Sequence, residues 1–428
     1  MTFKKLKSES GIALMMVLAS LLIISTVVVE FAYNAHVAYS AATTLKDRTK
    51  AYFLAQSAMN LTRFELAKER QLRQQFASLL SQMPGAGVGN DPFCKMFPLS
   101  TQMIQGITTG SVTLGEEGFS KTDQAPDKEK PMEDLLNLGG DFEGRCDTEE
   151  GKINLNAFRA SVGGSSAPTE EGEGTLNTAA SRGYENQKNL LTSLLTQPEF
   201  EKVSEGSVDS MRKMAGAIAD WIDADDRINE AAGLGGYEDG DYSNLPYKPK
   251  NGKMGTKAEL LLIPDLGDDL YRLLEPNVTV YGDEKINLCQ ATGETTRAFL
   301  QNYSQTTPGA FPFNPRDETR VGSLLDSIEE ACSVPNPRPA QIAQVITATL
   351  GGQTGAEEAE EGAAEGRKGR ARPRRSGSGL ASQIRTTNRF YLIEATGTVG
   401  ETWVRIRSVL DTNGTNPNLW KILYYRVE

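Results

Sequence analysis

An apolar segment near the amino terminus constrains the fold more than any other feature. Residues 12–29 carry no charge and are mostly apolar, and Lys4, Lys5 and Lys7 precede them. As a helix this segment would be about 27 Å long, close to the hydrocarbon thickness of a bilayer. A secretory signal has a shorter apolar core that ends at a small-residue cleavage site. The length of the segment therefore predicts a retained single-pass anchor. Because the lysines precede it, we expect the remaining chain to lie outside the cytoplasm.

The anchor continues into a long amphipathic helix. Residues 35–83 contain neither proline nor glycine, and apolar residues recur at helical spacing, as at Leu54, Ala58 and Leu61. We predict one helix over residues 12–83, with 12–33 in the membrane, that ends before Pro84.

Charge and composition exclude several classes of function. The net charge of −11 disfavours nucleic acid as a partner, since an acidic surface repels phosphate. The chain has one histidine, His36, placed just beyond the membrane segment, so a histidine-based catalytic triad and an HExxH zinc motif are both excluded from the exported part. An exported hydrolase would need a nucleophile–base pair that we do not find. We therefore expect no enzyme and no catalytic residue.

The rest of the chain alternates between structured and low-complexity stretches. "GSVTLG" (110–115) and "GKINLNAF" (151–158) alternate as strands do, whereas "SVDSMRKMAGAIADWIDADD" has the spacing of a helix. The last segment alternates again, with turn signals at Gly400 and at Asn413-Gly414. The pattern predicts a helical domain inserted into an α/β unit. The predicted parts are a first α/β half (84–160), a flexible loop (161–183), a helical domain (184–352), a charged linker (353–380) and a second half with an antiparallel sheet (381–428).

Several motifs occur together in one order. They are "AYFLAQSAMN" (51–60), "GKINLNA" (151–157), "AIADWIDADD" (217–226), "YKPKNGKMGTKAELLLIPDLGDDLYRLLEPNVTVYG" (247–282) and "KINLCQAT" (285–292). In this combination the chain resembles the K-type minor pseudopilin of the bacterial type II secretion system. The resemblance implies a pilin-like α/β (α+β) fold, in which the long helix packs on an antiparallel sheet that carries a large helical insertion. It also implies a structural tip subunit of the pseudopilus, which supports export of folded proteins across the outer membrane.

The resemblance also implies how the amino terminus is processed and what it contacts. "MTFKKLKSESG" is similar to a prepilin leader, so a prepilin peptidase would cut between Gly11 and Ile12 and methylate the new end. The fifth mature residue is Met16, where most pseudopilins carry a glutamate that neutralises the amine of the subunit above. A tip subunit has no subunit above it. The expected partners are the I-type and J-type minor pseudopilins and the inner-membrane secretion assembly, with the carboxyl-terminal region in the periplasm of a Gram-negative bacterium.

One other interpretation remains open at this point. An ordinary single-pass membrane protein with a binding or adhesive ectodomain would share the anchor but would keep Met1. The chain also departs from the family in "KINLCQAT", the second asparagine-rich motif: the family usually has a further asparagine where this chain has Cys289, which removes a hydrogen-bonding side chain there.

Acidic residues cluster after the predicted helix that begins at Ser207. Hard oxygen ligands at this density suit Ca²⁺, and the family binds calcium in its helical domain, so the resemblance implies a calcium site. Counted from Asp223, the spacing is not that of an EF-hand, because Ile228 and Leu234 occupy the positions of its glycine and glutamate. The alternative is a solvated acidic loop. The candidate ligands are Asp223, Asp225, Asp226, Glu238, Asp239 and Asp241, with Asp220 nearby.

Two core predictions and one disulfide prediction complete the sequence analysis. "AELLLIPDLGDDLYRLL" resembles a helix-hairpin-helix element, but its aspartates would repel DNA, so we expect it to pack in the domain core. Four cysteines allow three pairings; keeping each bridge inside one predicted domain favours Cys94 with Cys146 and Cys289 with Cys332. The residues expected in the core are Leu262, Ile263, Leu266 and Leu270 in that element, and Met211, Met214, Ala215, Ile218 and Ile222 on one helix face.

Overall fold

A single long helix opens the fold. The computed structural model describes residues 10–80, 91–104, 112–115, 118–121, 139–158, 178–203, 208–224, 238–334, 337–351, 377–414 and 416–428. Helix α1 spans Ser10–Leu80, within a few residues of the predicted 12–83. All of its residues from 11 to 46 are exposed. In the described part of the chain it is the one helix long and apolar enough to cross a membrane.

The described helices and strands follow the predicted order. The strands are β1 Leu99–Ser100, β2 Val112–Gly115, β3 Gly118–Lys121, β4 Asp141–Thr148, β5 Ile153–Asn154, β6 Val278–Thr279, β7 Ile286–Asn287, β8 Ile384–Arg385, β9 Phe390–Val399, β10 Thr402–Asp411 and β11 Lys421–Val427. The other helices are α2 Phe93–Met96, α3 Thr178–Leu195, α4 Pro198–Glu201, α5 Val208–Ile222, α6 Asp268–Leu274, α7 Gly293–Thr306, α8 Glu318–Cys332, α9 Pro339–Gly351 and α10 Gly377–Gln383. Short 3₁₀ helices lie at Glu238–Gly240, Lys257–Leu262 and Pro417–Leu419.

The main sheet is antiparallel, with strand order β1-β4-β9-β10-β11. Strands β9 and β10 form the hairpin that the sequence predicts, and its turn residue Gly400 has a φ of +57°. Glycine adopts this left-handed conformation without steric cost. Strand β4 comes from before the insertion and pairs with β9 from after it, so the sheet joins the two halves of the α/β unit.

Helix α1 lies directly on this sheet. Its buried face carries Ala51, Ala55 and Ala58, whose small side chains let the helix approach the strands closely. Gly397 on β9 faces it, and a Cβ at that position would overlap backbone atoms of Ala51 and Ala55. The alanines and glycines thus set the distance between helix and sheet. The residues of this first core are Ala51, Leu54, Ala55, Ala58, Met59, Leu66, Cys94, Phe142, Cys146, Tyr391, Ile393, Ala395, Val399, Val404, Ile406 and Leu410.

A second core belongs to the helices between β5 and β8. It includes residues from both ends of the insertion, Ile153 at the start and Ile384 at the end, so it extends beyond the predicted range 184–352. All five residues predicted on the buried face of α5 lie in this core. The structure is therefore the pilin-like α+β fold, with a helical domain inserted between β4 and β9.

Two local predictions were wrong. Leu262 is exposed, whereas Leu260, Ile263 and Leu266 are buried. Leu260 and Leu262 both lie in the 3₁₀ helix over residues 257–262, where three residues make one turn, so their side chains lie on different sides of it. The other error is the strand over residues 151–158, where only Ile153–Asn154 is extended.

Candidate functional site

The junction between the sheet and the inserted domain is built from a repeated sequence. "KINL" occurs at residues 152–155 and again at 285–288. Each copy forms a two-residue parallel pair: Ile153 lies opposite Val278, and Ile286 lies opposite Ile384. The isoleucine and leucine of each copy are buried. Each copy therefore pairs with a segment that is distant in sequence, at the junction between the sheet and the inserted domain.

The asparagine of each copy has the same pair of contacts. Asn154 donates from Nδ2 to the carbonyl of Gly282 at 2.8 Å, and its Oδ1 accepts the amide of Asn156 at 3.1 Å. Asn287 donates to Oδ1 of Asn388 at 2.7 Å, and its Oδ1 accepts the amide of Cys289 at 3.1 Å. An asparagine that accepts the amide two residues on forms an Asx turn, which competes with extended structure. This turn ends each strand after two residues.

The position after the leucine differs between the two copies. In the first copy, Asn156 donates to the carbonyls of Met254 and Val280 at 3.0 and 2.8 Å and accepts the amide of Met254. In the second copy, Cys289 forms a disulfide with Cys332 on α8. The second copy therefore uses a covalent bond where the first uses three hydrogen bonds.

Two buried glutamates precede the first copy. Glu149 accepts from Nζ of Lys152 at 2.9 Å and from the hydroxyl of Thr279. The Oε1 atom of Glu150 accepts the amides of Arg389 and Phe390, at the start of β9. Burial raises the pKa of Glu150 to about 7, although both amides and nearby Arg385 act against this shift. Glu150 thus connects the end of β4 to the strand that follows the inserted domain.

The acidic cluster lies at the end of α5 and around the 3₁₀ helix at 238–240. Asp220, Asp223 and Glu238 are buried, and Asp223 accepts from the hydroxyl of Tyr184 at 2.9 Å. Burial, followed by the negative charges of Asp220, Asp241 and Glu238, raises the pKa of Tyr242. These three carboxylates therefore all contribute to the raised pKa of Tyr242. Among the described residues, no three histidine, cysteine, aspartate or glutamate side chains gather closely enough to hold a metal ion.

Three of the predicted calcium ligands lack a described side chain. Asp225 and Asp226 lie outside the described residues, and Asp239 is described only in its backbone. Of the other three, Asp223 and Glu238 are buried, whereas Asp241 is exposed.

The remaining predicted residues are those of the leader cleavage site, Met16 and the four cysteines. Gly11, Ile12 and Met16 are on the exposed first turns of α1. The cysteines form the pairs that the domain argument favoured. Cys94 bonds to Cys146 between α2 and β4, and Cys289 bonds to Cys332, so each core contains one bridge.

Sequence reasoning did not identify the junction residues Glu150, Asn154 and Asn287. The signal for them was the repeated "KINL", but four identical residues do not reveal with which distant segment each copy pairs.

Comparison with known proteins bears on the same region. Residues 151–283 match the family described as type II secretion system protein K. No curated protein matches the chain significantly. A chain in the crystal structure of the GspK–GspI–GspJ complex from the type 2 secretion system of enterotoxigenic Escherichia coli is similar at 13% identity, with a TM-score of 0.40, covering 68% of this chain and 80% of that one. Residues 151–283 of this chain are therefore similar to the type II secretion system protein K family.

Proposed function

We propose that this chain is a minor pseudopilin, the structural tip subunit of the type II secretion pseudopilus, and supports export of folded proteins across the outer membrane. One observation carries the proposal: the protein K region is joined to an exposed apolar helix long enough to span a bilayer. A subunit that is stored in the inner membrane and then enters a filament needs both parts. The role is structural and needs no catalytic group.

Met16 supports the position at the tip. It lies on the exposed apolar part of α1, where a carboxylate in hydrocarbon costs about 2.5–3.5 kcal/mol unless a partner neutralises it. A subunit with no neighbour above has no amine to neutralise and no use for that carboxylate. We expect Met16→Glu to give no gain in assembly. Improved pseudopilus assembly by this variant would contradict the tip position.

The exposed part of α1 from the end of the membrane segment onwards supports helical partners. Phe31, Ala35, Ala38, Ala42 and Leu45 alternate at spacings of four and three, and all are exposed. Such spacing places them in one stripe that a second helix can pack against, and the alanines allow close approach. We propose that the helices of the I-type and J-type minor pseudopilins pack along this stripe, beside the inner-membrane secretion assembly.

Processing and location follow from the same proposal. Prepilin peptidase would cleave between Gly11 and Ile12 and methylate the new amino terminus. The lysines before the anchor favour a periplasmic carboxyl-terminal region. Two disulfides suit that compartment, since they persist in the oxidising periplasm and are rare in the cytosol.

Mass analysis of the amino terminus tests the proposal most directly. The protein extracted from membranes should begin at a methylated Ile12, and Gly11→Trp should leave the full-length precursor and abolish secretion. A conservative control, Ser8→Ala, should process normally. A mature protein that keeps Met1 would instead favour an ordinary single-pass protein with a binding or adhesive ectodomain.

We also propose that calcium binds the acidic cluster. The donors are carboxylate oxygens, which Ca²⁺ prefers, and Asp223 and Glu238 are buried at the two ends of the segment 224–237. Burying a carboxylate is costly unless a cation or hydrogen bonds compensate. Asp223 and Glu238 would hold the ion, which would supply positive charge to this loop.

Thermal unfolding of the soluble region tests the calcium site. A chelator should lower the melting temperature, because an ion that binds only the folded state stabilises it by mass action. Asp223→Asn or Glu238→Gln should remove the response to chelator and calcium. Asp269→Asn, at an exposed aspartate of α6, is the matched control and should retain it. A melting temperature indifferent to chelator and to added calcium would leave a solvated acidic loop.

A further inference from the structure

The carboxyl-terminal strand β11 has a free edge. It is the last strand of the main sheet, so one side pairs with β10 and no described strand pairs with the other. Arg405 and Glu428 exchange both backbone hydrogen bonds, at 3.1 and 2.8 Å. Because such pairs alternate along an antiparallel ladder, the N–H and C=O groups of Tyr425 and Val427 point away from β10. The backbone of the free edge is thus set to pair with another strand.

The side chains at this edge are apolar and exposed. Ile422, Tyr425 and Val427 lie on the face that carries α1, and they are 47%, 42% and 43% exposed. Leu419, just before the strand, is 72% exposed. Sheet proteins usually blunt a free edge with charges, prolines or bulges. Here the described register shift leaves Leu423 of β11 as the extra residue, and residues 424–427 pair regularly with β10 beyond it.

This edge is continuous with the exposed stripe of α1. Tyr52 lies seven residues after Leu45, on the same side of the helix, and it contributes, after burial, to the raised pKa of Tyr425. A partner helix on the stripe would therefore bring its own globular part beside β11. This is the step that rests on the proposed function.

Charge favours a particular kind of strand. On the face away from α1, β11 itself carries Lys421 and Arg426, and the Arg426 side chain is 61% exposed. Arg407 contacts Glu394 and Glu428, and Arg426 contacts the same Glu428. A carboxylate on an added strand can pair with these edge cations. The cations on this face are Arg405, Arg407, Lys421 and Arg426.

We propose that β11 accepts an edge strand of the neighbouring pseudopilin whose helix packs on the α1 stripe. The accepted strand carries apolar residues on the α1 side and at least one carboxylate on the other. Strand addition of this kind takes affinity from main-chain hydrogen bonds and specificity from alternate side chains. The sheets of two subunits would then be continuous through β11.

Paired substitutions at Val427 test the proposal in the full chain, co-expressed with the I-type and J-type pseudopilins and extracted in detergent. Val427→Pro removes only the outward N–H and leaves the ladder with β10 intact. It should lower co-purification of the partner at least tenfold. Val427→Thr keeps the N–H and the shape of the side chain and should co-purify as the wild type does. Equal recovery with proline and threonine would overturn the proposal.

A stripe variant separates this test from the proposed function. Ala38→Arg should abolish co-purification if the partner helix packs on α1. Loss with Ala38→Arg but full recovery with Val427→Pro would overturn only the strand pairing, whereas no effect of either would overturn the helix association. If Val427→Pro lowers the melting temperature, Val427→Cys with a thiol-directed photocrosslinker reads the same contact. An adduct with the partner supports the proposal, and an adduct with a second copy of this chain, or none, overturns it.

Discussion

Glu150 shows at the scale of one residue how the inserted domain is held to the sheet. Its carboxylate receives two amides from the start of β9, and its backbone carbonyl accepts the amide of Asn287 at 2.7 Å. One residue therefore contacts both the second "KINL" copy and the returning strand. The raised pKa is the consequence of burying that carboxyl group, so the junction is sensitive to pH.

Stability should fall as the pH rises through the range in which Glu150 ionises. Its pKa is about 7 in the folded protein and 4.5 as the ordinary value, so the stabilisation is complete below about pH 4.5 and is lost as the pH rises through 7. The wild type should lose about 3 kcal/mol over this range relative to Glu150→Gln. Glutamine can still accept both amides but cannot ionise. Denaturant unfolding between pH 4 and 8 measures the difference.

Two comparisons make this prediction specific. Glu143→Gln alters an exposed glutamate on β4, the strand that precedes Glu150, and its stability should depend on pH as that of the wild type does. Glu65 is buried on α1 with its pKa raised to about 8, but it is present in both proteins and cancels in the difference. Parallel profiles for the wild type and Glu150→Gln would contradict the role of Glu150.

At the scale of elements, the contact between α1 and the sheet depends on the absence of side chains. Gly397 meets the backbone of Ala51 and Ala55, and Gly144 meets the hydroxyl of Thr62 and the carbonyl of Ala58. A helix that approaches a sheet so closely buries its alanines fully. Interiors at this packing density do not absorb an added methyl group without moving an element.

Gly397→Val should therefore destabilise the α/β unit by about 3 kcal/mol or more, because the helix must move off β9. Gly322→Ala is the opposite case. That glycine is inside α8 with no atom near the position of an added Cβ, so alanine should stabilise by up to about 1 kcal/mol. Thermal unfolding should show a lower melting temperature for Gly397→Val and an unchanged or higher one for Gly322→Ala. A neutral Gly397→Val would mean that α1 can shift on the sheet without cost.

At the scale of the whole molecule, two cores are each closed by one disulfide. Cys94–Cys146 ties α2 to β4 in the core of the sheet, and Cys289–Cys332 closes a separation of 43 residues in the inserted domain. A bridge stabilises chiefly by restricting the unfolded chain, and the effect grows with loop length. The two bridges therefore act on different parts of the fold.

Cys332→Ser should lower the free energy of unfolding of the inserted domain by about 4 kcal/mol. The double variant with Cys289→Ser should lose no more than the single one, since the bond is already absent. A reducing agent should destabilise the wild type more than either substitution does, because it opens both disulfides. Denaturant midpoints followed by tryptophan fluorescence report on Trp221 in the inserted domain together with Trp403 and Trp420 in the sheet unit. An unchanged midpoint for Cys332→Ser would show that the bridge does not stabilise this domain.

The sequence by itself determined the elements whose signals are local. The long helix followed from an uninterrupted apolar and helical pattern, the buried face of α5 from its period, and the β9–β10 hairpin from alternation around Gly400. Each of these depends on residues within a few turns of one another, where backbone geometry fixes which side chains share a face.

Only the tertiary structure decided what the distant contacts do. Asn154 and Asn287 each stand between an isoleucine and a leucine in the sequence. Yet Asn154 hydrogen-bonds to Gly282 and Asn287 to Asn388, each more than a hundred residues away. The burial of Glu150 and the exposure of Leu262 likewise depend on which segments pack around them. The physical reason is that periodicity specifies a face but not its partner, which is chosen by the packing of the complete chain.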